Sequence, residues 1–151
     1  MALFFNLKIN ILENFCFKIE APESDYLFVA PSTIENAGKG LFSAIDIYKN
    51  EIIALFKGEI LTDFEAQKRV KVKKDAYFIN MIDGTIMDSM HVDCFAKFAN
   101  DAEAFKTSIF KNNSKITLDD EDNVCIIATK KIKSGDEIFC SYGKKYWEKH
   151  L

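Results

Sequence analysis

Glu137-Ile138-Phe139-Cys140-Ser141-Tyr142-Gly143-Lys144-Lys145-Tyr146-Trp147 is the stretch on which the reading of this chain turns. A short apolar run leads into a tyrosine, then a glycine that lets the backbone turn, then an aromatic pair. Taken alone it is a strand ending, with Tyr142 a core aromatic and Trp147 packing the last turn. Its lead-in, Ile132-Lys133-Ser134-Gly135-Asp136-Glu137-Ile138-Phe139, repeats the order of an earlier phrase, in which Tyr48-Lys49-Asn50-Glu51 precedes Ile52-Ile53-Ala54-Leu55-Phe56. Two copies are too few for a repeat protein. They predict two strands entered through similar turns.

Working outward, the rest of the chain reads as many short strands and few helices. Phe15, Phe17 and Ile19 alternate with Cys16 and Lys18, as in a half-buried strand with the aromatic face inward. Ala21 to Asp25 is a turn cluster, and Tyr26 to Ala30 is a second strand stopped by Pro31. Asn36-Ala37-Gly38-Lys39-Gly40-Leu41-Phe42 carries two glycines that permit a tight turn or close approach of a ligand to the main chain. Thr62 to Asp75 is a helix, with Glu65 placed to complete a capping box on Thr62 and a basic solvated end. Tyr77 to Ile82 and Thr85 to Met87 form a hairpin around Asp83-Gly84. Val92 to Asn100 reads as a short helix, Asp101 to Asn113 as irregular, and Val124 to Ala128 as a strongly apolar strand. The acidic run Asp119-Asp120-Glu121-Asp122 lacks the alternating ligand spacing of a calcium loop and reads as a solvated hairpin tip.

Composition narrows the function classes. A chain of 151 residues, 48% apolar, forms one domain with a real core. Its 14 phenylalanines suit a β-rich fold or an aromatic-lined pocket. A net charge of -3 argues against general nucleic-acid binding and is compatible with a basic peptide partner. Cys16, Cys94, Cys125 and Cys140 form no C-x-x-C pair, and with only His91 and His150 beside them no zinc spacing appears. They read as reduced core thiols of an intracellular protein, nuclear or cytoplasmic without distinction. Met1 to Phe5 lacks the basic flank of a signal peptide, and no apolar run approaches the ~20 residues of a membrane span.

Four segments then coincide in type and order with one family. Gly38-Lys39-Gly40-Leu41-Phe42 resembles the G-x-G-x-F motif near the start of SET domains. Phe56-Lys57-Gly58-Glu59 resembles its Y-x-G-E, and Lys97-Phe98-Ala99-Asn100-Asp101 is similar to its R-F-x-N-H. Gly135-Asp136-Glu137-Ile138-Phe139-Cys140-Ser141-Tyr142-Gly143 resembles its G-E-E-L-x-x-D-Y-G ending. Ile86-Met87-Asp88 looks like the family's I-D-A, and Asn112-Asn113 stands where a P-N pair usually follows. The end of the stretch, through Trp147, resembles the small, minimal SET proteins of the viral type. The resemblance places a SET domain at 27–147, after an N-terminal strand extension at 1–26 and before a tail at 148–151.

The resemblance implies a mixed α+β, β-rich fold: a β-clip of small sheets whose C-terminal segment passes through a preceding loop as a pseudoknot. It implies a protein-lysine methyltransferase using S-adenosylmethionine. Tyr142 takes the catalytic role. Lys39, Gly40, Leu41, Tyr77, Asn100, Asp101, Tyr142 and Trp147 bind the cofactor, Trp147 by stacking on adenine. Tyr77, Phe98 and Tyr146 line the substrate channel with Tyr142, and no metal is expected. The chemistry suits these residue types. The attacking amine must be neutral, and deprotonating a lysine of pKa ~10.4 at neutral pH costs between about 4 and 5 kcal/mol. An aromatic channel that excludes water lowers that cost and still tolerates a cation.

Departures from the family pattern set the questions for the structure. Asp101 replaces the family's His, and a negative charge there would oppose the cofactor carboxylate. Phe56 lacks the family's hydroxyl and is expected to pack. The cysteines that follow other SET domains and bind zinc are absent, so Tyr146, Trp147 and the last residues, or a partner chain as in a homodimer, must close the channel. The substrate is a lysine-bearing protein or peptide, with a basic histone tail one class that the acidic run would suit. The alternative is a SET-fold interaction module without catalysis.

Overall fold

The strand Val124–Ala128 is buried along its whole length. A strand apolar on both faces belongs inside a sheet. In the computed structural model, which describes residues 16–104 and 108–142, it lies where that argument puts it. Numbering strands in chain order, β1 is Phe17–Lys18, β4 is Glu51–Leu55, β8 is Ser114–Leu118 and β9 is Val124–Ala128. They form one sheet in the order β1-β4-β9-β8, antiparallel except for the parallel β1–β4 pair. A second sheet joins β2 (Leu27–Pro31), β3 (Lys39–Ser43) and β10 (Glu137–Ile138), with β3 in the middle. A third joins β5 (Glu59–Leu61), β7 (Ile86–Asp88) and β6 (Phe78–Asn80), with β7 in the middle. Two helices, α1 (Glu23–Tyr26) and α2 (Asp63–Lys71), and a 3-10 turn at Ala96–Phe98 complete the described elements. The fold is the β-rich arrangement of small sheets that the motifs imply.

Local chemistry accounts for most of these elements. Thr62 Oγ1 accepts the Glu65 amide while Glu65 Oε2 accepts the Thr62 amide, so the capping box starts α2 as read. The chain between β6 and β7 turns at Asp83-Gly84, where Asp83 Oδ1 accepts the Thr85 amide at 3.0 Å. Leu41, Ile53, Ile126, Ile132 and Ile138 meet in one fully buried core with Tyr26 and Ala99. The Tyr26 hydroxyl donates to Ile53 O at 2.9 Å, and burial, with Glu23 and Glu51 nearby, pushes its pKa up to about 12.

The two similar phrases lie side by side. Ile47 and Ile132, both fully buried, exchange backbone hydrogen bonds of 2.8 Å in each direction. The turn after each is the same device. Glu51 accepts the Tyr48 amide through its side chain, as Asp136 does that of Lys133. Asn50 and Gly135 occupy the third position of these turns with φ of 70° and 90°, a conformation that favours Gly and Asn.

Four local readings are corrected. Val92 to Asn100 is not a helix; only Ala96–Phe98 forms a 3-10 turn. The Lys97 ammonium donates to the carbonyls of Ser89, Met90 and Val92, so these oxygens converge on a side chain rather than along a helix axis. The cluster at Ala21 to Asp25 includes a single helical turn, Glu23–Tyr26, whose Glu23 carboxylate accepts the Leu55 amide at 2.8 Å. Phe17 faces solvent at 56% exposure, while Cys16 packs against Ile52, Cys125 and Ile127. Its partner in Phe15 lies outside the described residues. Finally, the helix read over Thr62 to Asp75 ends at Lys71, with Lys73 at a φ of 56° just beyond it; β8, not read from the sequence, is held by its full ladder to β9.

The C-terminal segment runs between two earlier pieces of chain. On one side, β10 pairs with β3. On the other, the Cys140 amide donates to Asn100 O at 2.8 Å, and Phe139 O accepts the amides of Asn113 and Ser114. The Asn113 side chain closes the clamp, giving its amide to Glu137 O and taking that of Phe139, both at 2.9 Å. This threading, the described part of the implied pseudoknot, brings Tyr142 to Asn100.

Candidate functional site

A cavity of about 450 Å³ opens where the three sheets meet. That is within the range of small-molecule and cofactor sites. Its walls come from separate elements. Ala37, Gly38 and Lys39 enter from the start of β3, Phe56 from just after β4, Ala76 and Tyr77 from the approach to β6, and Ile79 from β6 itself. Ser89, the Ala96–Phe98 turn, Asn100 and Tyr142 complete it. The lining is apolar and aromatic with a few convergent polar groups.

Tyr142 is held at both ends. Its hydroxyl donates to Ala99 O. Its backbone amide donates to Asp101 Oδ2 at 2.9 Å. Because the hydroxyl proton is taken by a carbonyl, the phenolic oxygen can meet a cavity occupant only as an acceptor. Asn100 is equally constrained. Its amide nitrogen donates to Lys39 O at 2.9 Å and to Glu137 Oε1 at 3.3 Å. Ser89 is 1% exposed and its hydroxyl has no hydrogen-bond partner among the described residues. A buried unsatisfied hydroxyl at a cavity wall suits a cavity with a polar occupant.

The predicted residues divide into three groups. Lys39, Tyr77, Phe98, Asn100 and Tyr142 are brought together on this cavity. Gly40, Leu41 and Asp101 are not in its lining. Leu41 is fully buried between Val29 and Ile138 in the second sheet. Gly40 serves a neighbour: a Cβ there would overlap the Glu137 carboxylate, so close approach by a side chain requires this glycine. Asp101 is 4% exposed, and its carboxylate turns away to accept from Tyr142, Asn112 Nδ2 (3.0 Å) and the Glu103 amide (3.2 Å). Tyr146 and Trp147 lie outside the described residues.

Sequence reasoning missed three contributors. Phe56 lines the cavity as well as packing on two core clusters. Lys97, read only as part of a motif, is spent on three carbonyls, and its Nζ sits 5.3 Å from the Phe98 ring centre. Glu137, read as a strand residue within the closing motif and given no role, is a buried hub. The available signal was its acidic place in the closing motif; its packing against Gly40 joins positions far apart along the chain. Among the described residues no group of three or more His, Cys, Asp or Glu side chains is placed to hold a metal, and no helix is long and apolar enough to cross a membrane.

A S-adenosylmethionine-sized group fits this donor set: an aromatic cavity, an oriented carboxamide, a phenol and an unsatisfied hydroxyl. Comparison with known proteins points the same way. The SET domain family matches residues 38–143. Among solved structures, "ctPRC2 in an autoinhibited conformation bound to S-adenosylmethionine" aligns with a TM-score of 0.62 and 25% identity, over 78% of this chain and 15% of that chain. The present chain thus spans a small part of that protein's length. The match begins and ends at the first and last glycines of the motifs singled out above, and it covers the strands that build the cavity: the chain belongs to the SET-domain family.

Proposed function

We propose that this protein is an S-adenosylmethionine-dependent protein-lysine N-methyltransferase. The observation that carries the reading is the convergence of Lys39, Tyr77, Phe98, Asn100 and Tyr142 on one cavity. When bound, the cofactor supplies a methyl group made electrophilic by its sulfonium. Lys39 and Asn100 would hold its amino-acid end, and Tyr142 stands at the reacting end. The Tyr142 oxygen, its proton held by Ala99, offers lone pairs to a polarised methyl and its incoming amine. Tyr77 and Phe98 form an aromatic passage in which an ammonium is desolvated and its neutral form favoured. The proton leaves through solvent, so the site's work is alignment.

The substrate in this reading is a lysine-bearing protein. Histone tails are the first class to test, because the tip at Asp120, Glu121 and Asp122 is acidic and exposed. The resemblance to minimal viral-type SET proteins extends the proposal: Tyr146, Trp147 and the last residues, or a second copy of the chain, close the channel, with Trp147 against adenine. An intracellular location goes with this reading, and no nucleic-acid partner does.

A second reading, a SET-fold interaction module without turnover, rests on Asp101 in place of the family's His. Incubation with labelled S-adenosylmethionine and a panel of histones and other lysine-bearing proteins separates the two. Label on lysine supports the enzyme. Cofactor binding without transfer across the panel supports the module.

A further inference from the structure

Glu137 is 5% exposed, yet nothing in the proposed reaction uses it. A carboxylate buried to this degree needs several donors, and four converge on it. Ser32 Oγ donates to Oε1 at 2.7 Å, and Asn100 Nδ2 donates to the same oxygen at 3.3 Å. The Thr33 amide and Oγ1 donate to Oε2 at 2.7 and 2.6 Å. These groups come from two stretches of chain far from Glu137, Ser32 lying 105 residues from it in sequence and Asn100 lying 37. The missing side chain at Gly40 is the space the carboxylate occupies.

The consequence falls on Asn100. A carboxamide can present either end to a ligand, and its partners decide which. Both partners of Asn100 Nδ2, Lys39 O and Glu137 Oε1, are acceptors only. The nitrogen must therefore face them, and the amide oxygen is the end left for the cavity. An acceptor backed by a buried carboxylate suits a cationic donor. We propose that Glu137 is a positioning residue that sets Asn100 as the acceptor for the α-ammonium of the cofactor's amino-acid end. This rests on the cofactor reading above.

The test compares two ligands by calorimetry on the full chain: S-adenosylhomocysteine, which has the α-ammonium, and 5′-methylthioadenosine, which lacks the amino-acid end. Glu137→Gln keeps the volume beside Gly40 but loses the paired acceptors. It should weaken S-adenosylhomocysteine about tenfold, as expected for a hydrogen bond to a charged group, and change 5′-methylthioadenosine less than about twofold. Asn100→Ala should do the same, and the double variant should be no weaker than the worse single one. Equal losses for both ligands, or single effects that multiply in the double variant, overturn the proposal. Should Glu137→Gln fail to fold, Ser32→Ala must show a smaller loss confined to S-adenosylhomocysteine, and unchanged affinity there overturns it. Wild-type protein that binds neither ligand overturns the cofactor reading itself.

Discussion

At the scale of residues, Tyr142 matters because of what restrains it. Its hydroxyl is tied to Ala99 O and its amide to the Asp101 carboxylate. Asp101 is the position where the family would have His, and its charge is turned from the cavity toward three donors. The electrostatic conflict that the substitution suggests is thereby relieved. In the proposed reaction Asp101 would act by holding the tyrosine backbone. Asp101→Ala should lower turnover roughly tenfold, the scale of a lost charged hydrogen bond, and leave the cofactor dissociation constant within about twofold. Asp101→Asn retains an acceptor and should recover most of the rate. Steady-state kinetics and calorimetry on the same preparations check this, and a loss of cofactor affinity with unchanged turnover would contradict it.

At the scale of elements, turns closed by acidic side chains recur. Tyr48–Glu51 and Lys133–Asp136 are two, and the β8–β9 tip is a third. Read from sequence as simply solvated, that tip has one member at work: Asp119 is 6% exposed and accepts the amides of Glu121 and Asn123, each at 2.9 Å. Burial raises its pKa, but the Asn123 and Glu121 donors outweigh burial and hold it below the ordinary value. The folded pKa lies below the unfolded one of about 3.9, so its stabilisation is complete above that pH and is lost as pH falls through the folded value. Asp119→Ala should therefore cost about 1–3 kcal/mol at neutral pH. The gap from wild type should begin to narrow in denaturant melts below about pH 4 and go on narrowing as pH falls through the folded value.

At the scale of the molecule, much was legible and the reasons for the rest are physical. The capping box on α2, the Asp83-Gly84 hairpin and the apolar run of β9 are local signals, and each folds as read. The pseudoknot implied by the family resemblance put the Asn100 segment beside Tyr142, and the Asn100–Cys140 backbone hydrogen bond agrees. What was not legible depends on distant contacts: β8 exists by pairing with β9, the Val92 region is shaped by the Lys97 side chain, and the reason for Gly40 is a carboxylate at residue 137. The same burial governs the thiols. It pushes the Cys125 pKa up to about 12 and raises that of Cys140 as well. Iodoacetamide at pH 8 should leave both unmodified in the folded protein and alkylate both in denaturant, as read by peptide mass spectrometry.

The central claim is that the cavity carries methyl transfer through Tyr142. The most direct measurement incubates wild-type and Tyr142→Phe protein with radiolabelled S-adenosylmethionine and lysine-bearing proteins, and locates label on lysine by mass spectrometry. The account predicts lysine methylation by wild type and a loss of on the order of 10²-fold in the variant, with its melting temperature preserved. A folded wild-type protein that neither binds the cofactor nor transfers label, or a variant that methylates as fast as wild type, would contradict it.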